Sequence, residues 1–64
     1  MFDKEVIKEE LKKIFRNSNK SVNFDEVIAS YTVKEGFYVF RVDDDAFFFT
    51  ENTLMDCCPG YFLL

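Results

Sequence analysis

Ile7, Leu11, Ile14 and Phe15 recur at the three- and four-residue spacing of a helix stripe, with Lys and Glu filling the positions between them. The spacing predicts an amphipathic helix over residues 3–17. Asp3 stands where an N-cap carboxylate would accept a backbone N–H, and Phe2 stands where a hydrophobic staple would pack on Ile7. Lys12, Lys13 and Arg16 suit the negative end of the helix dipole. Asn17-Ser18-Asn19 then stops the helix, since Asn tolerates a left-handed exit.

After a polar connection over residues 20–26 the period changes to two, with Val27, Ala29, Tyr31 and Val33 alternating with Ile28, Ser30, Thr32 and Lys34. This alternation predicts a strand. Asn23 and Glu26 at capping-box spacing offer the rival, a short helical turn around residues 24–30. Two-residue turns at Glu35-Gly36 and Asp44-Asp45 would pair Lys34 with Phe37, Val33 with Tyr38, Tyr31 with Phe40, Val42 with Phe47 and Phe40 with Phe49. That register gives one uncharged sheet face of Val27, Ala29, Tyr31, Val33, Tyr38, Phe40, Val42, Phe47 and Phe49. The helix covers it. The other face holds Ile28, Ser30, Thr32, Lys34, Phe37, Val39, Arg41, Phe48 and Thr50, and its apolar members need cover from the tail, a second subunit or another protein.

In the tail, Thr53 and Asp56 at capping-box spacing predict a short helical turn before Cys57-Cys58, ended by Pro59-Gly60. Tyr61-Phe62-Leu63-Leu64 reads as a lid. The expected fold is therefore α+β: one N-terminal amphipathic helix on a three-stranded antiparallel meander, with a C-terminal helical turn or lid. Residues 1–64 form a single small domain. A chain of this size buries only about 60% of the surface its unfolded form exposes, so an uncovered apolar face would point to a partner.

Charge sharpens this picture. Residues 1–20 carry six bases and four acids, net +2, whereas residues 21–64 carry two bases and eight acids, net −6. A phosphate backbone would be repelled by the acidic part, which argues against direct nucleic-acid binding. With no histidine in the chain, the commonest general base and zinc ligand are both missing. Asp43-Asp44-Asp45 fails as a calcium loop, because Phe48 and Leu54 occupy the sixth and twelfth positions. Cys57 and Cys58, without a second pair, form no zinc site, and Asp56 beside them would raise a thiol pKa. No catalytic residue, cofactor or metal is expected, and the chain is read as a non-enzyme. A charged amino end and adjacent cysteines suit a reducing cytoplasm, and no stretch is long and apolar enough for a membrane span.

These exclusions leave binding. Acids at a hairpin tip beside aromatic and Arg anchors match the make-up of protein interfaces. The expected contact residues are Glu35, Phe37, Val39, Arg41, Asp43, Asp44, Asp45, Phe48 and Glu51. The expected partner is a protein with a basic surface, such as a nucleic-acid-binding protein whose phosphate groove the acids would occupy in place of DNA. In size, acidity and element order the chain resembles small phage-encoded inhibitors of bacterial defence, including some anti-CRISPR proteins; the resemblance rests on no sequence motif. It implies an inhibitor acting by occlusion. The alternative is a homo-oligomeric or accessory domain that self-associates through its second sheet face or an edge. A redox or metal-responsive module on Cys57-Cys58 is the third reading.

Overall fold

Helix α1 spans Lys4–Ile14 in the computed structural model, which describes residues 1–63. The Asp3 carboxylate accepts the Glu5 N–H at 2.9 Å, as an N-cap should. The helix is shorter than the pattern predicts. Ile14 is its last residue and is 40% exposed, so the buried stripe narrows to Ile7 and Leu11. Phe2 meets the sheet, edge-on against Tyr31, Tyr38 and Phe40 with centroids 5.0, 5.0 and 5.3 Å away.

Residues expected to begin the first strand form a second helix instead, α2 at Phe24–Ala29. The capping box decides it: Asn23 Oδ1 accepts the Glu26 N–H at 3.2 Å, and the Glu26 carboxylate accepts from Asn23 Nδ2 at 3.4 Å. Phe24, Val27 and Ile28 stand at helical spacing, which turns Ile28 into the core beside Ile7 and Leu11 rather than onto the second sheet face. Ser30 closes the helix, its hydroxyl donating to the Glu26 carbonyl at 3.0 Å. Lys8 bridges the two helices, 3.0 Å from Asp25, and this hydrogen bond is the main reason its pKa is raised.

The sheet has four antiparallel strands in sequence order, one more than predicted: β1 Thr32–Lys34, β2 Phe37–Val42, β3 Asp45–Thr50 and β4 Thr53–Cys58. Lys34 pairs with Phe37 and Val33 with Tyr38 across the Glu35-Gly36 turn, in the expected register. The second turn is Asp43-Asp44, because Phe40 pairs with Phe47 and Val42 with Asp45. This differs from the expected register by two residues, so every side chain keeps its face. Asp43 takes a φ of 55°, a conformation Asp tolerates, and Arg41 Nε donates to its carbonyl at 2.9 Å.

The predicted helical turn near the C terminus is strand β4, joined to β3 by a Glu51-Asn52 turn with Glu51 at φ 54°. Burial is the physical reason. Ala46, Phe47 and Phe49 of β3 are at most 2% exposed, and a strand so deeply placed needs both edges hydrogen-bonded. A bulge falls between Phe48 and Phe49 in this pairing, leaving Met55 without an opposite residue. The main core lies between the helices and the sheet, formed by Ile7, Leu11, Ile28, Phe40, Val42, Phe47 and Phe49. A 3₁₀ turn at Tyr61–Leu63 lies against the opposite face.

Candidate functional site

The register sorts the nine expected contact residues into three places. Asp43, Asp44 and Asp45 form the turn and first strand residue at one end of the sheet. Glu35 and Glu51 occupy turns at the opposite end, a six-residue strand away, or about 17 Å. Phe37, Val39, Arg41 and Phe48 lie on the face turned away from the helices.

The acidic end is held by a set of backbone donors. The Asp45 carboxylate accepts the Gly60 N–H at 3.0 Å, and the Asp44 carbonyl accepts the Phe62 N–H at 3.1 Å. With the Arg41 bond to the Asp43 carbonyl, these tie turn and tail into one unit. Asp43 also pairs with Lys20 at 3.0 Å, and that hydrogen bond, followed by the attraction of the turn's charges, raises the Lys20 pKa. The Asp44 side chain has no hydrogen-bond or ion-pair partner among the described residues.

The aromatic and Arg face is largely covered by the chain itself. Phe37 stacks edge-on with Phe48 at 6.0 Å, Phe48 with Tyr61 at 5.5 Å, and Tyr61 with Phe62 at 5.1 Å. The Arg41 guanidinium sits 4.6 Å from the Phe62 ring centre, and the Lys34 ammonium lies 4.9 Å over Tyr61 while donating to its hydroxyl. Val39 and Ala46, at 4% and 0% exposure, are buried without belonging to the helix-side core. The lid predicted from Tyr61 to Leu64 therefore covers the second face; its last residue, Leu64, lies outside the described residues.

Cys57 and Cys58 are adjacent in β4, so their side chains point to opposite faces and do not converge on one ligand. Burial is the first cause of the raised pKa of each, reinforced by Asp45 and Asp56 at Cys57 and by Asp56 at Cys58. Such thiols are poor nucleophiles at neutral pH. The Asp56 carboxylate also accepts the Cys57 N–H at 2.8 Å, which occupies a donor of the outer strand.

Tyr31 and Tyr38, expected to lie in the core, also line a groove of about 300 Å³ with Met1, Phe2 and Lys4. Its only signal was Phe2, read as a staple. Comparison with protein-family models, curated proteins and solved structures finds no match to this chain.

Proposed function

We propose that the chain is a non-enzymatic binding protein that occludes a basic surface of a protein partner with its Asp43-Asp44-Asp45 end. The observation that carries this reading is the tethering of that end: three hydrogen bonds to Asp43, Asp44 and Asp45 fix the turn against Arg41, Gly60 and Phe62. A tip fixed before binding loses little freedom on association, and its charge steers a cationic surface toward it. Asp44 offers an uncommitted carboxylate, and Asp45 retains acceptor capacity beyond its one bond to Gly60.

Glu35 and Glu51 take no part in this contact, since they stand at the other end of the sheet. Phe37, Val39 and Phe48 act from beneath, by supporting the tail that ties the turn. Occlusion of a nucleic-acid-binding groove, as an anti-defence inhibitor would achieve it, is the form of inhibition this geometry favours. Self-association through the second face would first have to displace the tail turn.

The test is capture of partners on the immobilised chain from nuclease-treated bacterial lysate, beside a chain carrying Asp43→Asn, Asp44→Asn and Asp45→Asn together. Asn keeps the acceptor oxygen used by Gly60, so the fold should survive. A basic protein held at low salt by the parent chain and lost by the triple variant is expected. Capture indifferent to both salt and substitution would sink the proposal.

A further inference from the structure

The tail folds back over the sheet as a unit that the rest of the fold does not need. Strand β4 ends at Cys58, and the exposed Pro59, with no N–H to give, ends the ladder there. No described tail residue joins the helix-side core; Tyr61 and Phe62 are half-buried and Leu63 is 71% exposed. The tail also closes on itself, the Leu63 N–H donating to the Gly60 carbonyl at 3.1 Å. The surface beneath reads it at four points. The Asp45 carboxylate accepts the Gly60 N–H at 3.0 Å, and the Asp44 carbonyl accepts the Phe62 N–H at 3.1 Å. Lys34 donates to the Tyr61 hydroxyl, and the Arg41 guanidinium lies 4.6 Å from the Phe62 ring centre. A phenol therefore falls beside an ammonium donor and a plain ring beside a guanidinium, in a fixed order along the chain.

We infer that this face is a recognition site for a Tyr-Phe segment of another protein, and that the chain's own tail is its resident competitor, an autoinhibitory contact hinged at Pro59-Gly60. The four points are backbone and side-chain groups of the sheet and the Asp turn, so they serve an incoming segment as they serve the tail. Ring order selects the occupant. Phe at the first position leaves Lys34 without its hydroxyl acceptor, and Tyr at the second brings a hydroxyl to a site that uses only the ring face. The attached tail competes at an effective concentration in about the millimolar range, so an outside segment binds in proportion to the chains whose tail is open. A second copy offers the same contacts and no others, so tails exchange between copies only above that concentration. The hinge gives the means to shift the balance. Gly60 stands at φ 72°, and a Cβ there would lie 3.5 Å from Leu63 Cδ1, so Ala strains the seated tail while leaving both rings in place. The inference does not depend on a basic partner at the acidic end.

The probe is acetyl-Pro-Gly-Tyr-Phe-Leu-amide, titrated into the ¹⁵N-labelled full chain carrying Tyr61→Ala and Phe62→Ala together. Saturable amide shifts at Lys34, Arg41, Asp44, Asp45 and Phe48 are expected. The order-reversed acetyl-Pro-Gly-Phe-Tyr-Leu-amide should bind about fivefold more weakly, and adding Lys34→Met should abolish that preference. Gly60→Ala answers the case in which the double variant unfolds: it should bind the first peptide about fivefold more tightly than the parent does, by raising the open fraction. In the parent, hydrogen exchange should show the Gly60 and Phe62 amides opening before those of β2 and β3. No shifts at millimolar peptide in either variant, equal binding of the two peptides, or a parent that binds as tightly as Gly60→Ala would each overturn the inference. So would Phe62 exchange no faster than that of β3, or exchange of tails between copies of the parent.

Discussion

Replacing Glu35 by Asn should make the protein more stable, although Glu35 touches nothing that the change would improve. Its backbone sits at φ 52°, and Gly36 follows at φ 84°, so both central residues of this hairpin turn are left-handed. Asn-Gly is the preferred pair for that geometry. A side chain in the left-handed region costs about 1–2 kcal/mol, and Asn visits it several-fold more readily than Glu, a difference of about 1 kcal/mol. Part of this remains after substitution, which leaves an expected gain of about 0.5–1 kcal/mol. With a urea m-value of about 1 kcal/mol/M for a small domain, the midpoint should rise by about 0.5–1 M at unchanged m. The melting temperature should rise by about 3–6 °C. Glu35→Gln separates backbone from charge, since Gln removes the same charge without Asn's tolerance of positive φ. If Gln raises the midpoint as much as Asn, relief of charge repulsion is the cause and the conformational reasoning fails. If Asn lowers it, Glu35 does not occupy the left-handed region. Glu51, at φ 54°, should respond in the same way.

Three further outcomes follow from the packing and the titrating groups. Asn23→Ala should cost about 1 kcal/mol and lower hydrogen-exchange protection in α2 first, whereas Asn23→Asp should be nearly neutral. Tyr61→Ala with Phe62→Ala should cost about 2–3 kcal/mol by exposing the face that holds Val39 and Ala46, against a total of roughly 3–10 kcal/mol for a chain this long, and should increase binding of a hydrophobic dye. Alkali should destabilise the fold: Cys57 and Cys58 are raised above an ordinary 9.0, and Lys8, Lys20 and Lys34 above 10.5. In each case the native state holds its proton longer than the unfolded chain, so stability is full below the unfolded value and falls as pH rises past it. Chemical denaturation as a function of pH checks this, and Cys57→Ser with Cys58→Ser should remove the earlier part of the loss.

Much of this architecture is legible in the residues, and the misreadings have local causes. Ile7 and Leu11 mark the helix, and parity along Phe37–Val42 and Asp45–Thr50 divides the rings between two faces even though the second turn lies one residue earlier than predicted. The segment from Phe24 to Val33 carries two patterns at once. Alternation at Val27, Ala29, Tyr31 and Val33 competes with Phe24, Val27 and Ile28 at helical spacing, and the Asn23 cap decides between them. For β4 the local signal is misleading, because Thr53 and Asp56 imitate a capping box. The strand forms because β3 is buried and needs a partner, a fact that no window of neighbouring residues contains. At the candidate site the acids are plain in the sequence; their tethering is not, since it depends on Gly60 and Phe62 returning to the turn from the tail.

Each strand of the sheet is joined to the next by only two residues, so its pairings close the shortest loops a chain can make. Hairpins of this kind form in about 1–10 μs. The step that spans the chain is the seating of α1, whose first turn is tied to the far end of the sheet by the Asp3 N–H donating to Asn52 Oδ1 at 2.6 Å. Folding should therefore divide into fast, local growth of the meander and a slower closure that brings residues 49 apart into contact. Until that closure, Phe40, Phe47 and Phe49 face solvent together, and the interval before the helix arrives is the time in which this chain is most exposed to aggregation.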